Sequence, residues 1–246
     1  MESVDSHLLI RHAANAGTFA VELLGWTPDP KQMLVLESTA RRVVLNCSRQ
    51  WGKTTVTATK VVHLAVTRPG MGALIVCENL GQTGEFFAKI DAFLGRLGIG
   101  VRGEPGKRMG RRLGNGSRIV GIAAREAAVR GYTADFVFLD EAARIPDEVI
   151  DAFAPVIAVR KGDWWMASTP RGKRGRFWEA WAYGEGADLL KVSAKGSECS
   201  RIGPEFIERM RLEKGDAYVR QEFECEFVEN GVHLLDLDSV DGLVVK

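Results

Sequence analysis

The chain has 246 residues, 46% of them apolar, enough to bury a sizeable core as one large or two small domains. Lysine plus arginine number 33 against 32 acids, a net charge of +1, so overall charge points to no nucleic-acid partner and any such contact has to come from local patches. No apolar run approaches the roughly 18 residues of a membrane span, no signal-peptide pattern opens the chain, and Cys47, Cys77, Cys199 and Cys225 stand far apart without a C-x-x-C pair; these features argue against a membrane protein and a zinc site, and for a soluble protein of a reducing intracellular compartment.

Residues 1–25 read as a lead-in helix whose Leu8, Leu9, Phe19, Val21, Leu23 and Leu24 can pack on a core. Trp26-Thr27-Pro28-Asp29-Pro30 breaks it, because the residue before a proline is pushed toward extended backbone, and a second helix begins near Gln32. The apolar run Val43-Val44-Leu45 predicts a strand, and the helical-looking segment Val56–Val66 follows. Between them lies Cys47-Ser48-Arg49-Gln50-Trp51-Gly52-Lys53-Thr54-Thr55, in the setting of a phosphate-binding loop. There Gly52 lets the backbone approach an anion, Lys53 can reach the β and γ phosphates, and the Thr54 hydroxyl can hold Mg²⁺. The full G-x-x-x-x-G-K-[ST] pattern asks for glycine where Cys47 stands, so the G-K-T core alone also fits a lysine that merely starts a helix.

Ala73–Cys77 reads as a second parallel strand, and Gln82–Leu97 as a helix with Phe86, Phe87, Ile90, Phe93, Leu94 and Leu97 on its apolar face. The glycine-rich, basic stretch Val101–Arg112 precedes an Asn115-Gly116 turn and a strand at Arg118–Ile122. Its arginines, Arg111 and Arg112 above all, are open to three readings: DNA-phosphate contacts, an arginine offered to a neighbouring subunit's nucleotide, or a solvated hairpin. Phe136-Val137-Phe138-Leu139-Asp140-Glu141 predicts a buried parallel strand ending in two acids, at the strand end where ligands of open α/β sheets bind. In that setting Asp140 is a candidate Mg²⁺ ligand, the Walker B role, and Glu141 a candidate to polarise an attacking water; the pair also suits an ordinary helix cap.

A helix through Val149, Ile150 and Phe153 leads to Asp163–Pro170, a further strand of the same sheet ending in Ser168 and Thr169 beside the acidic strand end. Those hydroxyls can report γ-phosphate hydrolysis or merely turn the chain before a proline. The basic loop Arg171-Gly172-Lys173-Arg174-Gly175-Arg176 is a candidate DNA-facing or neighbour-facing element, and equally a solvated loop. A helix with Phe177, Trp178, Trp181 and Tyr183, a strand at residues 188–193, a helix from Pro204 to Leu212 and the stretch Asp216–Phe227 close the domain.

Together the loop Ser48-Arg49-Gln50-Trp51-Gly52-Lys53-Thr54-Thr55, the acidic strand, Thr27–Gln32, Arg130-Gly131, Ser168-Thr169-Pro170 and the ending Gln221–Phe227 resemble the ATPase domain of the large terminase subunit, the DNA-packaging motor of tailed bacteriophages. The resemblance runs from Trp26 to about Asn230 and implies an α/β fold: a P-loop NTPase with a doubly wound, mainly parallel β-sheet flanked by helices, of the additional-strand, catalytic-glutamate type. It further implies ATP and Mg²⁺ as cofactors, an ATP site of Gln32 and residues 48–55 with Gln32 on the adenine, Glu141 and Arg49 in catalysis, and Ser168-Thr169 as the coupling motif. For Arg49, a pairing with a carboxylate that shapes the loop is the other reading. The implied partners are double-stranded DNA, sister subunits in a ring, the portal protein and the small terminase subunit, in the cytoplasm of an infected host. Complete large terminases carry a second, nuclease domain; only about fifteen residues, Asp236, Asp238 and Asp241 among them, follow Asn230, so residues 1–230 are expected to form the ATPase domain, residues 231–246 a tail or linker, and no nuclease activity is expected of this chain. A helicase-like ATPase acting on single strands and a non-hydrolysing nucleotide-binding assembly module remain the alternatives.

Overall fold

Uninterrupted apolar segments build the centre of the molecule. In the computed structural model, which describes residue 9, residues 11–124 and residues 133–229, the strands are β1 (Arg42–Cys47), β2 (Gly72–Cys77), β3 (Val101–Gly103), β4 (Met109–Leu113), β5 (Arg118–Ala123), β6 (Phe136–Asp140), β7 (Asp163–Ser168) and β8 (Leu189–Ala194). They form one sheet in the order β3-β4-β5-β2-β6-β7-β1-β8. From β5 to β8 every pairing is parallel, while β3 and β4 extend the sheet as an antiparallel hairpin. β2 and β6 are buried along their whole length, as strands covered on both faces must be.

The helices are α1 (Ala16–Glu22), α2 (Pro30–Glu37), α3 (Lys53–Thr67), α4 (Leu80–Arg96), α5 (Asp147–Ala158), α6 (Gly175–Ala182), α7 (Pro204–Lys214) and α8 (Asp216–Glu222). Strand residues alternate between two cores. Leu45, Ile75, Phe138 and Trp165 face the helices α1 to α4, while Val44, Leu74, Val137 and Met166 face α5 and α6. A small third cluster of Cys199, Ile202, Val219 and Phe223 holds α7 and α8.

The predicted strand–helix alternation is borne out, and β7 inserts between β1 and β6, so the loop strand and the acidic strand are separated by one strand. The lead-in differs from a single helix. Asn15 accepts hydrogen bonds from the Gly17 and Thr18 amides and so starts α1 afresh, since an asparagine oxygen there satisfies amides that lack a helical partner. The basic stretch 101–112 folds as the β3–β4 hairpin. Arg130-Gly131 and the acids Asp236, Asp238 and Asp241 lie outside the described residues.

Candidate functional site at the C-terminal edge of the sheet

The strands β1, β6 and β7 deliver their final residues to one edge, where a cleft of about 640 Å³ opens. Its walls include Arg49, Gln50, Gly52, Lys53, Thr54 and Thr55 from the loop after β1, Glu78 and Gln82 from the start of α4, Glu141 and Arg144 after β6, and Arg201. The loop turns through two left-handed residues, Gln50 at φ 64° and Gly52 at φ 101°. Glycine takes that geometry at no steric cost; a Cβ at residue 52 would also lie 3.1 Å from Gln32 Nε2. Glu141, at φ 53°, is a second non-glycine residue in this strained region, which costs about 1–3 kcal/mol.

Lys53 opens α3 beneath the loop, only 8% exposed. Its Nζ donates to the carbonyls of Cys47 and Ser48 at 3.2 and 3.3 Å and stands 3.7 Å from the Glu141 carboxylate. Ser168 Oγ, at the end of β7, donates to the same carboxylate at 3.2 Å. Thr169 is buried next to it. Asp140 is 8% exposed and accepts the Glu141 amide at 3.2 Å. Burial first, and the neighbouring Glu141 second, push its carboxyl up to about 7. Buried Asp140 and the half-exposed Thr54 hydroxyl are one carboxylate and one hydroxyl, which suits a hard divalent cation that keeps most of its waters.

Arg49 does not point into the cleft alone. Its Nε donates to Glu222 Oε2 at 2.5 Å, and the Arg49 amide donates to the Glu222 carbonyl at 3.2 Å. Glu222, at the end of α8, is 3% exposed and also faces Arg144 at 3.5 Å. Arg144 in turn lies 3.7 Å from Glu141. An ion-pair chain thus runs from the loop arginine through a buried carboxylate to the acid after β6. Arg49 thus holds the partner that a loop-shaping arginine needs.

Gln32 is buried at 4% exposure with both ends of its amide engaged. Its oxygen accepts the Asp29 amide at 2.9 Å in a capping box, and its Nε2 donates to the Trp51 carbonyl at 2.7 Å. It braces the loop from behind rather than lining the cleft. The Trp51 side chain is buried, and Ser48 is held by the Ala194 carbonyl at 2.9 Å through its amide.

The basic candidates lie away from this cluster. Arg111 makes two hydrogen bonds to Asp91, at 2.7 and 2.6 Å, and stacks over Phe87; Arg112 pairs with Glu104 at 2.8 Å. The hairpin register sets Arg102 opposite Arg112 and Arg112 opposite Arg118, three arginines in a row, with Glu104 as the carboxylate partner of Arg112 and Arg118. Lys173 pairs with Glu229, while Arg171 and Arg174 are exposed and have no ion-pair partner among the described residues.

Sequence reasoning missed Arg144, Arg201 and Glu222 as members of the site. Arg144 was within reach, since it follows Glu141 by three residues. Arg201 and Glu222 join the loop only through the fold, 150 and 173 positions away from Trp51 and Arg49.

The family model described as terminase large subunit, T4likevirus-type, N-terminal, matches residues 44–239. The large terminase subunit of Thermus virus P23-45 is 30% identical over 85% of this chain and 50% of its own length. The chain therefore spans about half the length of the curated relatives it matches. Among solved structures, the large terminase ATPase domain of Thermus phage P74-26 aligns with a TM-score of 0.78 at 28% identity, over 87% of this chain and 99% of that one. The large terminase of bacteriophage HK97, 13% identical, shares the fold with a TM-score of 0.70 over 87% of this chain and 55% of that one. With the loop, the acidic strand and the interposed β7 arranged as described, the chain belongs to the terminase large subunit family, through that family's N-terminal domain.

Proposed function

We propose that the chain is a Mg²⁺-dependent ATPase that couples ATP hydrolysis to translocation of double-stranded viral DNA into a procapsid. The observation that carries this reading is the position of Glu141, 3.7 Å from Lys53 and 3.2 Å from Ser168, so that one carboxylate touches both the phosphate-binding lysine and the strand that would report its state. Lys53 and the loop amides that follow Arg49 hold the phosphates at the positive end of α3. Thr54 and Asp140 would hold Mg²⁺, which when bound would supply charge to offset that building up on the transferred phosphoryl group.

Glu141 orients the attacking water and accepts its proton. Arg49 leaves Glu222 to meet the γ-phosphate, and Arg144 remains to neutralise Glu222 when it does so. Ser168 then loses its contact with Glu141 as the γ-phosphate departs, and Thr169 and the loop at Arg171, Lys173 and Arg174 follow directly in the chain.

Double-stranded DNA as the track is supported by the family and by the row Arg102, Arg112 and Arg118. Like charges set directly opposite across strands destabilise a sheet, so such a row suits an external polyanion. Arg112 is the more exposed of the two hairpin arginines offered to a neighbour, 48% against 24% for Arg111. A homo-oligomeric ring seated on the portal protein, served by the small terminase subunit in the host cytoplasm, completes the reading. ATP hydrolysis by wild type and Glu141→Ala, with Mg²⁺ and with single- or double-stranded DNA, tests it. Turnover that falls by about 10²–10³-fold in Glu141→Ala while ATP still binds is the expected result. Stimulation by single strands alone would favour the helicase-like alternative, and binding without turnover by concentrated wild type the assembly module.

A further inference from the structure

The turn between β8 and α7 reaches the phosphate loop from outside. Cys199 Sγ donates to the Gln50 carbonyl at 3.6 Å, and Arg201 Nη2 donates to the Trp51 carbonyl at 2.7 Å. The turn is itself pinned to α2, because Lys31 Nζ donates to the Ser193 carbonyl at 2.6 Å and to Glu198 at 2.5 Å. The Trp51 carbonyl therefore has two donors, Arg201 and Gln32, and the two side chains flank Gly52.

They differ in what remains available. Gln32 is buried, with both ends of its amide committed to protein groups. Arg201 is exposed and lines the cleft, with one Nη on the Trp51 carbonyl. In a trans peptide the carbonyl points opposite to the next residue's N–H. Arg201, gripping the Trp51 carbonyl, thus lies across that peptide plane from the Gly52 amide while still lining the cleft.

We propose that Arg201 contacts the nucleoside end of bound ATP, with its guanidinium plane against the base, and that Gln32 acts as the brace that positions the loop behind it. The proposal rests on the ATPase reading above. It assigns a nucleoside-recognition role to the β8–α7 turn.

The test compares two ligands on the 246-residue chain by calorimetry with Mg²⁺: ATP, and inorganic tripolyphosphate, which has the phosphates without a nucleoside. Arg201→Ala is expected to weaken ATP about tenfold, the range of a guanidinium stacked on an aromatic face, and to change tripolyphosphate less than twofold. Arg201→Lys keeps a donor for the Trp51 carbonyl without the planar face, so an ATP-selective loss is expected there also. Equal losses for both ligands would mean that Arg201 acts on the phosphates or through the loop's shape, and would overturn the proposal. So would the absence of any loss. Wild type that binds neither ligand would sink the ATPase reading itself.

Discussion

Helix α3 carries two buried lysines seven positions apart, on one face and at opposite edges of the sheet: Lys53, 8% exposed, and Lys60, 9% exposed. Lys60 Nζ donates to the carbonyls of Leu36 at 2.9 Å and Ser38 at 3.2 Å and lies over the Trp165 ring at 5.6 Å. Around it Asp135 accepts from the Gly72 amide and Arg160, and Arg41 donates to the Lys161 carbonyl; a smaller cleft of about 370 Å³ opens here, with Lys60 in its wall but its ammonium committed to two backbone carbonyls. Lys53 has longer bonds to its two carbonyls and faces a carboxylate across an open cleft. The same residue type, equally buried on one helix, is a strut at one end and an available charge at the other. Burial alone does not separate the two; the partners do.

The largest effect expected from this contrast is on turnover. Lys53→Ala should lower ATP hydrolysis by about 10³-fold, the scale for removing a positioned charge from developing phosphoryl charge, whereas Lys60→Met should leave it within threefold. Steady-state assays on the two variants decide the matter. Comparable losses would mean that the far edge of the sheet takes part in the reaction.

Next in size is the stability that the cleft gives up. Asp140 stays protonated in the fold up to about pH 7, whereas the unfolded chain releases that proton near 3.8. Between these values the folded state binds more protons, so the nucleotide-free chain loses stability as pH rises through this window. Three units correspond to about 4 kcal/mol, and Asp140→Asn, which removes the charge, should stabilise the chain by about 2–4 kcal/mol at pH 8 and by little at pH 4. Urea melts at the two pH values measure this. An equal gain at both would show that the asparagine packs better rather than escaping a buried charge.

How much of this was legible before the fold was known follows from the range of each interaction. The loop at residues 48–55 and the acids at 140–141 could be read because strand, turn and functional side chain are contiguous, and the periodic face of α4 gave its bounds to within two residues at the start and one at the end. The β3–β4 hairpin was readable as basic but not as a row of arginines, because that row exists only once register sets Arg102, Arg112 and Arg118 side by side. Gln32 was assigned to the adenine only through the resemblance; its local sequence reads as an ordinary helix-start glutamine, and the fold engages its amide with Asp29 and Trp51. Glu222 and Arg201 left no local trace of their roles. One is buried by the packing of α8 and the other is exposed on a turn, and only long-range folding brings either to the loop.

Lys60 supplies the smallest and most discriminating measurement. Burial pushes its ammonium down to about 8 from 10.5. Between those values the unfolded chain holds more protons than the fold, so stability rises with pH across this window and the strut is costliest when charged, below pH 8. The neutral amine still has two protons for the carbonyls of Leu36 and Ser38, so the rise costs neither bond. Lys60→Met removes a charging penalty of about 3 kcal/mol at pH 7 but leaves two buried carbonyls short of a donor at about 1–2 kcal/mol each. The two nearly cancel, and a net change within about 1 kcal/mol is expected at pH 7, moving toward wild type by about 2 kcal/mol at pH 10. Denaturant melts of wild type and variant at the two pH values give this difference directly. A pH-independent difference would mean that Lys60 keeps its full charge in the fold, held by the two carbonyls against burial, and the contrast with Lys53 would then lie wholly in what each lysine faces.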